Sequence, residues 1–215
     1  MKTFLPAILL LAFAVPAGAE PEAKPAAEPE NVDAARMNAA STVKNLKQLY
    51  LSLIDFDTDY GAFPNDETAQ DVTDATGTTL TFKGGSSNAY LRQLLAMGVK
   101  TEKIFQIGGA KAPDDDFKDD SKALAKGECG IAYVTGLTTS NDPSIPLAFA
   151  PLVPGKLEFD PGPLGGKAVI LRIDGSLKIE TITAKGEVVT ADGKSILDPA
   201  QPYWNGKKPK VALPE

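Results

Sequence analysis

This chain predicts an α+β fold, on three observations. A long apolar-striped helix stops hard near residue 60, the second half of the chain is a succession of short apolar or alternating runs, and an Asp-Gly pair separates two of those runs. One helix followed by strands that turn back on each other is the sequence order of an α+β domain, not of repeated βαβ units. The striped helix has one dry side, and a sheet is the surface available to cover it. We therefore expect a long N-terminal helix packed on a small antiparallel sheet, with a second short helix and long loops.

In chain order, Met1–Ala19 has the form of a secretory signal. Lys2 supplies the positive end, Phe4 to Val15 the apolar run, and Ala17-Gly18-Ala19 a small-residue cleavage site. The run is shorter than the roughly 20 apolar residues of a comfortable membrane span, and Pro6 and Pro16 interrupt it. Retention as an uncleaved anchor is the alternative; after cleavage no stable span is expected. Glu20–Asn31 is Pro, Ala and Glu without an aromatic residue, a composition that cannot bury a core and reads as a tether. Residues 32–215 form the expected domain.

From Val32 the pattern turns helical. At 100° per residue Val43, Leu46, Leu49, Tyr50, Leu53, Ile54, Phe56 and Tyr60 crowd one arc, opposite Lys44, Lys47, Gln48, Ser52, Asp55 and Asp59. Gly61 suits the left-handed closing residue and Pro64 forbids resumption. Asn65–Ser87 is predicted as a polar loop. Asn88–Val99 is the second helix, with Ser86, Ser87 or Asn88 as cap, Leu91, Leu94 and Leu95 as its buried face, and Gly98 near its end. Ile104-Phe105 is a short apolar element, Ala110–Lys122 an acidic surface segment, and Ala123–Ala125 a helical turn. Gly130–Leu137, Pro146–Val153, Lys167–Ile173 and Ser176–Ile182 are the predicted strands, the last two joined at Asp174-Gly175. Val169, Leu171 and Ile173 share one face, while Lys178 and Glu180 mark the outer face of the return strand. Gly165-Gly166 ends the loop before that hairpin, and Lys185-Gly186 suggests a further turn.

Composition excludes several classes of function. The formal net charge is −6 and the pI about 4.8, whereas phosphate backbones are bound by clustered Lys and Arg, so no nucleic-acid partner is expected. There is no histidine, which removes the commonest general base and the commonest metal ligand together. Cys129 is the single cysteine, so no intrachain disulfide can form; it is either a small buried residue or a reactive thiol, and its apolar neighbours favour burial. No Gly-x-Ser-x-Gly or Ser-x-x-Lys context marks a nucleophile, and Gly84-Gly85 and Gly165-Gly166 lack the lysine spacing of a phosphate loop. A non-enzymatic protein is the expectation.

Two groups of residues stand out. Asp55, Asp57 and Asp59 sit in the last helical turns, where each opposes the negative end of the helix dipole at about 0.3–1 kcal/mol. Asp57 also falls inside the apolar arc. Either it accepts hydrogen bonds from a loop or from a cation such as Arg92, or the three acids are candidate ligands for Ca²⁺, which prefers such hard oxygens. The acidic run Asp114-Asp115-Asp116 with Asp119 and Asp120 is expected to be a solvated loop. Tyr203 and the single tryptophan, Trp204, lie in a Pro/Lys-rich tail; they either present aromatics to a partner or glycan, or pin the terminus to the domain.

The chain resembles the head domains of bacterial type IV pilin-like and type II secretion pseudopilin-like proteins, the prepilin-like group in particular. The likeness lies in Asn45-Leu46-Lys47-Gln48-Leu49 leading to Asp59-Tyr60-Gly61-Ala62-Phe63-Pro64, in Asn88–Val99 with Ile104-Phe105 as second helix and following strand, and in Gly166–Leu177 as an Asp-Gly hairpin. Leu164 stands where that group carries a histidine, and a conventional signal and tether replace the pilin leader and its hydrophobic half-helix. The resemblance thus implies the head fold more than filament building. The signal implies an exported periplasmic or secreted protein, and the resemblance a structural or adaptor-like one, meeting an envelope protein partner and linked to secretion or pilus-like machinery. The loops Asp114–Asp120 and Thr138–Ser144 are the expected contact surfaces. The alternative is an extracytoplasmic binding module for a small ligand or glycan, using Trp204 and a sheet edge.

Overall fold

The computed structural model describes residues 29–215. The expected signal (1–19) and residues 20–28 of the expected tether lie outside the described residues. Helix α1 spans Pro29–Tyr60, so it takes up the last three tether residues. Proline is well placed there, because the first N–H groups of a helix have no partner within it. The far end closes as the sequence predicts: Gly61 adopts φ +74° and its N–H donates to the Asp57 carbonyl at 2.8 Å. Leu46, Leu49, Leu53 and Phe56 are fully buried, while Lys44, Lys47, Asp55 and Asp59 are exposed. Each buried side chain of this kind contributes about 1.5–3 kcal/mol over leaving it in water.

The predicted polar loop contains a helix instead. Helix α2, Thr68–Thr76, buries only Thr68 and Val72, so it offers no apolar period to recognise. Asn65 starts it, its Oδ1 accepting from the N–H groups of Glu67 and Thr68. Helix α3, Ser87–Met97, is capped by the Ser86 hydroxyl, which accepts from Ala89 N–H at 3.2 Å, and is closed by Gly98. Ile104 and Phe105 form no strand after α3. They belong to a 3₁₀ turn, Glu102–Phe105, that buries both side chains. Adjacent strand residues would have pointed to opposite faces.

Five strands form one antiparallel sheet in the order β4-β3-β2-β1-β5: β1 Ala132–Val134, β2 Pro146–Ala150, β3 Lys167–Arg172, β4 Leu177–Thr181 and β5 Val211–Ala212. The fold is α+β. The β3–β4 connection is not the two-residue turn that Asp-Gly suggests. Gly175 N–H donates to the Arg172 carbonyl at 3.0 Å and Gly175 alone takes a positive φ, +77°, while Arg172 N–H donates to the Ser176 carbonyl. A four-residue turn, Arg172 to Gly175, whose last residue is a left-handed glycine is the bulged hairpin, and it shortens both strands.

Both faces of the sheet are covered. Tyr133 points to the helices, since its hydroxyl donates to the Pro64 carbonyl at 3.0 Å; Ala148, Leu171 and Leu177 share its row. The alternate row runs Ala132, Phe149, Ile170, Lys178. Phe149 there meets Phe159 with ring centroids 5.5 Å apart. Phe159, Val188, Ile196 and Trp204 join the core, so the polypeptide after β4 and the loop after β2 make a third layer. This explains why Ala168 and Ile170 are buried along with Val169 and Leu171. Strand β4 lies beyond α1 at the sheet edge: Lys178 faces out as expected, but Ile179 is also 55% exposed.

The C-terminus is stitched in as β5. Ser87 N–H donates to the Leu213 carbonyl, Glu215 N–H to Asn88 Oδ1, and Gly127 N–H to the Glu215 carbonyl. Among the described residues no helix is long and apolar enough to cross a membrane.

Candidate functional site

The three helix-end acids do not converge. Asp55 and Asp59 are exposed, and Asp57 turns to the β1–β2 loop, where the Thr139 hydroxyl donates to Oδ2 at 2.5 Å and the Thr139 N–H to Oδ1 at 3.4 Å. Its partner is thus a loop residue and not Arg92, which pairs with Asp120 at 3.6 Å. Among the described residues no group of three or more His, Cys, Asp or Glu side chains is placed to hold a metal ion.

The acidic segment stays at the surface, as its composition suggests, with Asp114 and Asp119 exposed and Asp115, Asp116 and Asp120 half-exposed, but most of its acids are tied to neighbouring groups. Asp115 accepts from the Thr101 hydroxyl and the Glu102 N–H and pairs with Lys103. Burial pulls its carboxyl up, but those bonds outweigh it and leave the pKa below the ordinary value. Asp120 accepts from Thr81 N–H and hydroxyl, tying the segment Leu80–Phe82 to α3 through Arg92. Asp116 meets Lys122 at 2.6 Å, and Asp119 turns back to Ser121. These bonds hold Asp114–Asp120 in one shape and leave Asp114, Lys118 and Asp119 exposed on it.

Beneath them lie two buried carboxylates. Glu128 accepts from Ala125 N–H and pairs with Lys111 at 2.9 Å. Glu102 is fully buried; its Oε1 accepts from Leu124 N–H, and its Oε2 has no partner among the described residues. Burial raises the Glu102 pKa against that N–H, and the Glu128 and Asp114 charges push it the same way. Cys129 is buried beside the Ser87 hydroxyl, and burial pushes its thiol up to about 11, so it is protonated and unreactive at neutral pH.

The tail aromatics line a groove. A short 3₁₀ turn, Pro202–Trp204, brings both rings against the third layer. Trp204 is 5% exposed and its indole N–H donates to the Ile196 carbonyl at 2.9 Å; the Tyr203 hydroxyl donates to the same oxygen, and the rings meet edge-on at 5.5 Å. Trp204 therefore anchors the tail while one edge stays at the surface. That edge and the half-buried Tyr203 ring floor a groove of about 290 Å³ between the tail and the β1–β2 loop. Leu137, Asn141 and Asp142 form one wall, and Lys207, Lys208 and Lys210 the other. All three lysines are exposed and, among the described residues, none pairs with a carboxylate.

Comparison with protein-family models, curated proteins and solved structures gives no significant match. The groove offers aromatic faces, backbone polar groups and three cations without a carboxylate partner among the described residues, a set suited to holding an anionic, partly apolar chain. The sequence marks Tyr203, Trp204 and the lysines of the tail. It does not reveal the opposite wall, because Asn141 and Asp142 lie some sixty residues upstream.

Proposed function

We propose that this is an exported, non-enzymatic envelope protein whose pseudopilin-like head acts as a structural or adaptor component linked to secretion or pilus-like machinery. One piece of geometry supports the reading: a 32-residue helix laid across an antiparallel sheet and latched to its Asp-Gly hairpin. The latch is Tyr50, whose hydroxyl donates to the Ile173 carbonyl at 3.1 Å. Such a helix exposes one long side for a neighbour, and Met37 and Leu51, 73% and 64% exposed, lie along it fourteen residues apart. Fourteen residues is close to four whole turns, so the two share a face.

Photo-crosslinking from Met37 and Leu51 in the native host tests the proposal, together with N-terminal sequencing of the mature protein. The expected results are a start at Glu20 and crosslinks to a component of an envelope secretion or pilus-like assembly. A protein that stays in the cytosol with Met1 intact would overturn it. The groove beside Trp204 favours a second reading, a binding module for a small ligand or glycan. In that case a glycan array gives a saturable hit while the helix positions give no crosslink.

A further inference from the structure

We propose that the groove between the β1–β2 loop and the C-terminal tail receives the acidic, proline-bearing segment Glu20–Glu28 of a second copy of this chain. The proposal rests on the reading that the mature protein begins at or near Glu20 and keeps that segment.

Chemistry carries the first part. Residues 20–28 hold Glu20, Glu22 and Glu28 against one Lys24, with Pro21 and Pro25 between them. Even with a free α-amino group at Glu20 the segment stays net negative. The groove offers Lys207, Lys208 and Lys210 against a single Asp142, around the edge of Trp204 and the face of Tyr203. Proline-rich segments dock in aromatic-lined grooves because the restricted proline backbone loses little entropy on binding. Charge complementarity sets partner and register, and its contribution weakens with salt.

Geometry decides whose segment it is. The groove lies at the C-terminal end of α1, where Asp57 bonds Thr139 and Phe63 N–H donates to the Leu137 carbonyl. The segment joins α1 at the opposite end, where Asn38 donates to the Pro163 carbonyl. From Pro29 to Asp57 the helix rises about 42 Å at 1.5 Å per residue. Nine residues reach at most about 32 Å when fully extended. A copy cannot fill its own groove along the helix it hangs from, but it can fill a neighbour's. The contact is then heterologous, head to tail, and repeats along an open line of copies.

Trp204 is the single tryptophan and lines the groove, so its indole N–H, bonded to the Ile196 carbonyl behind it, gives one NMR signal that reports on the groove. The test titrates a synthetic peptide, Glu-Pro-Glu-Ala-Lys-Pro-Ala-Ala-Glu, into the whole mature chain at low protein concentration. The expected result is a saturable shift of that signal that weakens at least tenfold between low and physiological salt. Lys207→Glu with Lys208→Glu should abolish it, and a peptide with its glutamates changed to lysine should restore binding to the double variant alone. Both lysines are exposed, so the variant's fold can be checked by an unchanged melting temperature. An indole signal unmoved at millimolar peptide overturns the proposal, as does a shift that persists in the double variant. A shift with neutral or acidic oligosaccharides but not with the peptide also overturns it and assigns the groove to a glycan. Failure of export shows in the N-terminal sequence instead, so the two failures are distinguishable.

Discussion

Asp57 shows how a local conflict in sequence becomes a tertiary bond. An acid in the last turns of a helix costs about 0.3–1 kcal/mol against the dipole. A hydrogen bond to a charged acceptor returns about 1.5–3 kcal/mol when sheltered and less when half-exposed, as here. The bond to Thr139 therefore wins narrowly. Asp57→Ala should cost about 1 kcal/mol in urea unfolding. Asp57→Asn keeps an acceptor and sheds the charge, so it should stay within about 0.5 kcal/mol of wild type. An Asn variant as damaged as the Ala variant would show that the charge itself is needed and would reopen the cation reading. The conflict at Asp57 was visible in the sequence, but its partner, eighty-two residues away, was not. Glu102 was invisible altogether, since nothing around it marks a carboxylate for complete burial. Its pKa is raised by that burial, so its contribution to stability is present below the ordinary glutamate value and is lost as pH rises through the raised one. Glu102→Gln carries no such penalty. Its melting temperature relative to wild type should therefore climb from about pH 4.3 upward and level off once Glu102 is ionised. A difference that does not vary with pH would contradict the buried charge.

Between elements, the latch from α1 to the hairpin controls how the helix sits on the sheet. A Cβ built on Gly175 falls 2.5 Å from Tyr50 Cε1, and the residue holds φ +77°. Gly175→Ala thus meets backbone strain and overpacking at once, for an expected loss of about 1–3 kcal/mol. Tyr50→Ala removes the ring, so the same substitution should cost less in that background, by a coupling of about 0.5 kcal/mol or more. Equal cost in both backgrounds would place the damage in the turn alone. Helices α1 and α3 are legible in the sequence because they carry strong periodicity and sharp stops: the stripe to Phe56, Gly61 and Pro64 for α1, and Ser86 with Gly98 around α3. Helix α2 escaped because a nine-residue helix with one apolar anchor has no period to detect. The Asp-Gly pair located the hairpin but not its bulge, because a left-handed glycine serves both turns equally well.

Across the whole molecule, the tail decides whether the domain has two layers or three. The chain after β4 scatters its apolar residues among glycines, prolines and lysines with no strand or helix period, so the sequence marks Trp204 as a pin for the terminus but not the layer it belongs to. With the loop after β2, whose Phe159 meets Phe149, that chain closes the face made by Ala132, Phe149 and Ile170, because those residues would otherwise be a dry surface in water. Strand β5 then locks the last residues against β1 and the start of α3. A layer held in this way should melt with the core and not before it. Trp204 emission should be blue-shifted and resist aqueous quenchers in the native protein, and its red shift on heating should coincide with the loss of far-UV helix signal. Coincidence of the two probes is the mark of one cooperative unit. Trp204→Ala removes both the indole bond to Ile196 and a large buried side chain, and it should lower stability by about 3–5 kcal/mol. If the tryptophan signal moved first, with α1 still helical, the tail would be a separable flap. Trp204→Ala would then leave the helix melting point in place, and the covered sheet face would belong to a two-layer domain that survives its exposure.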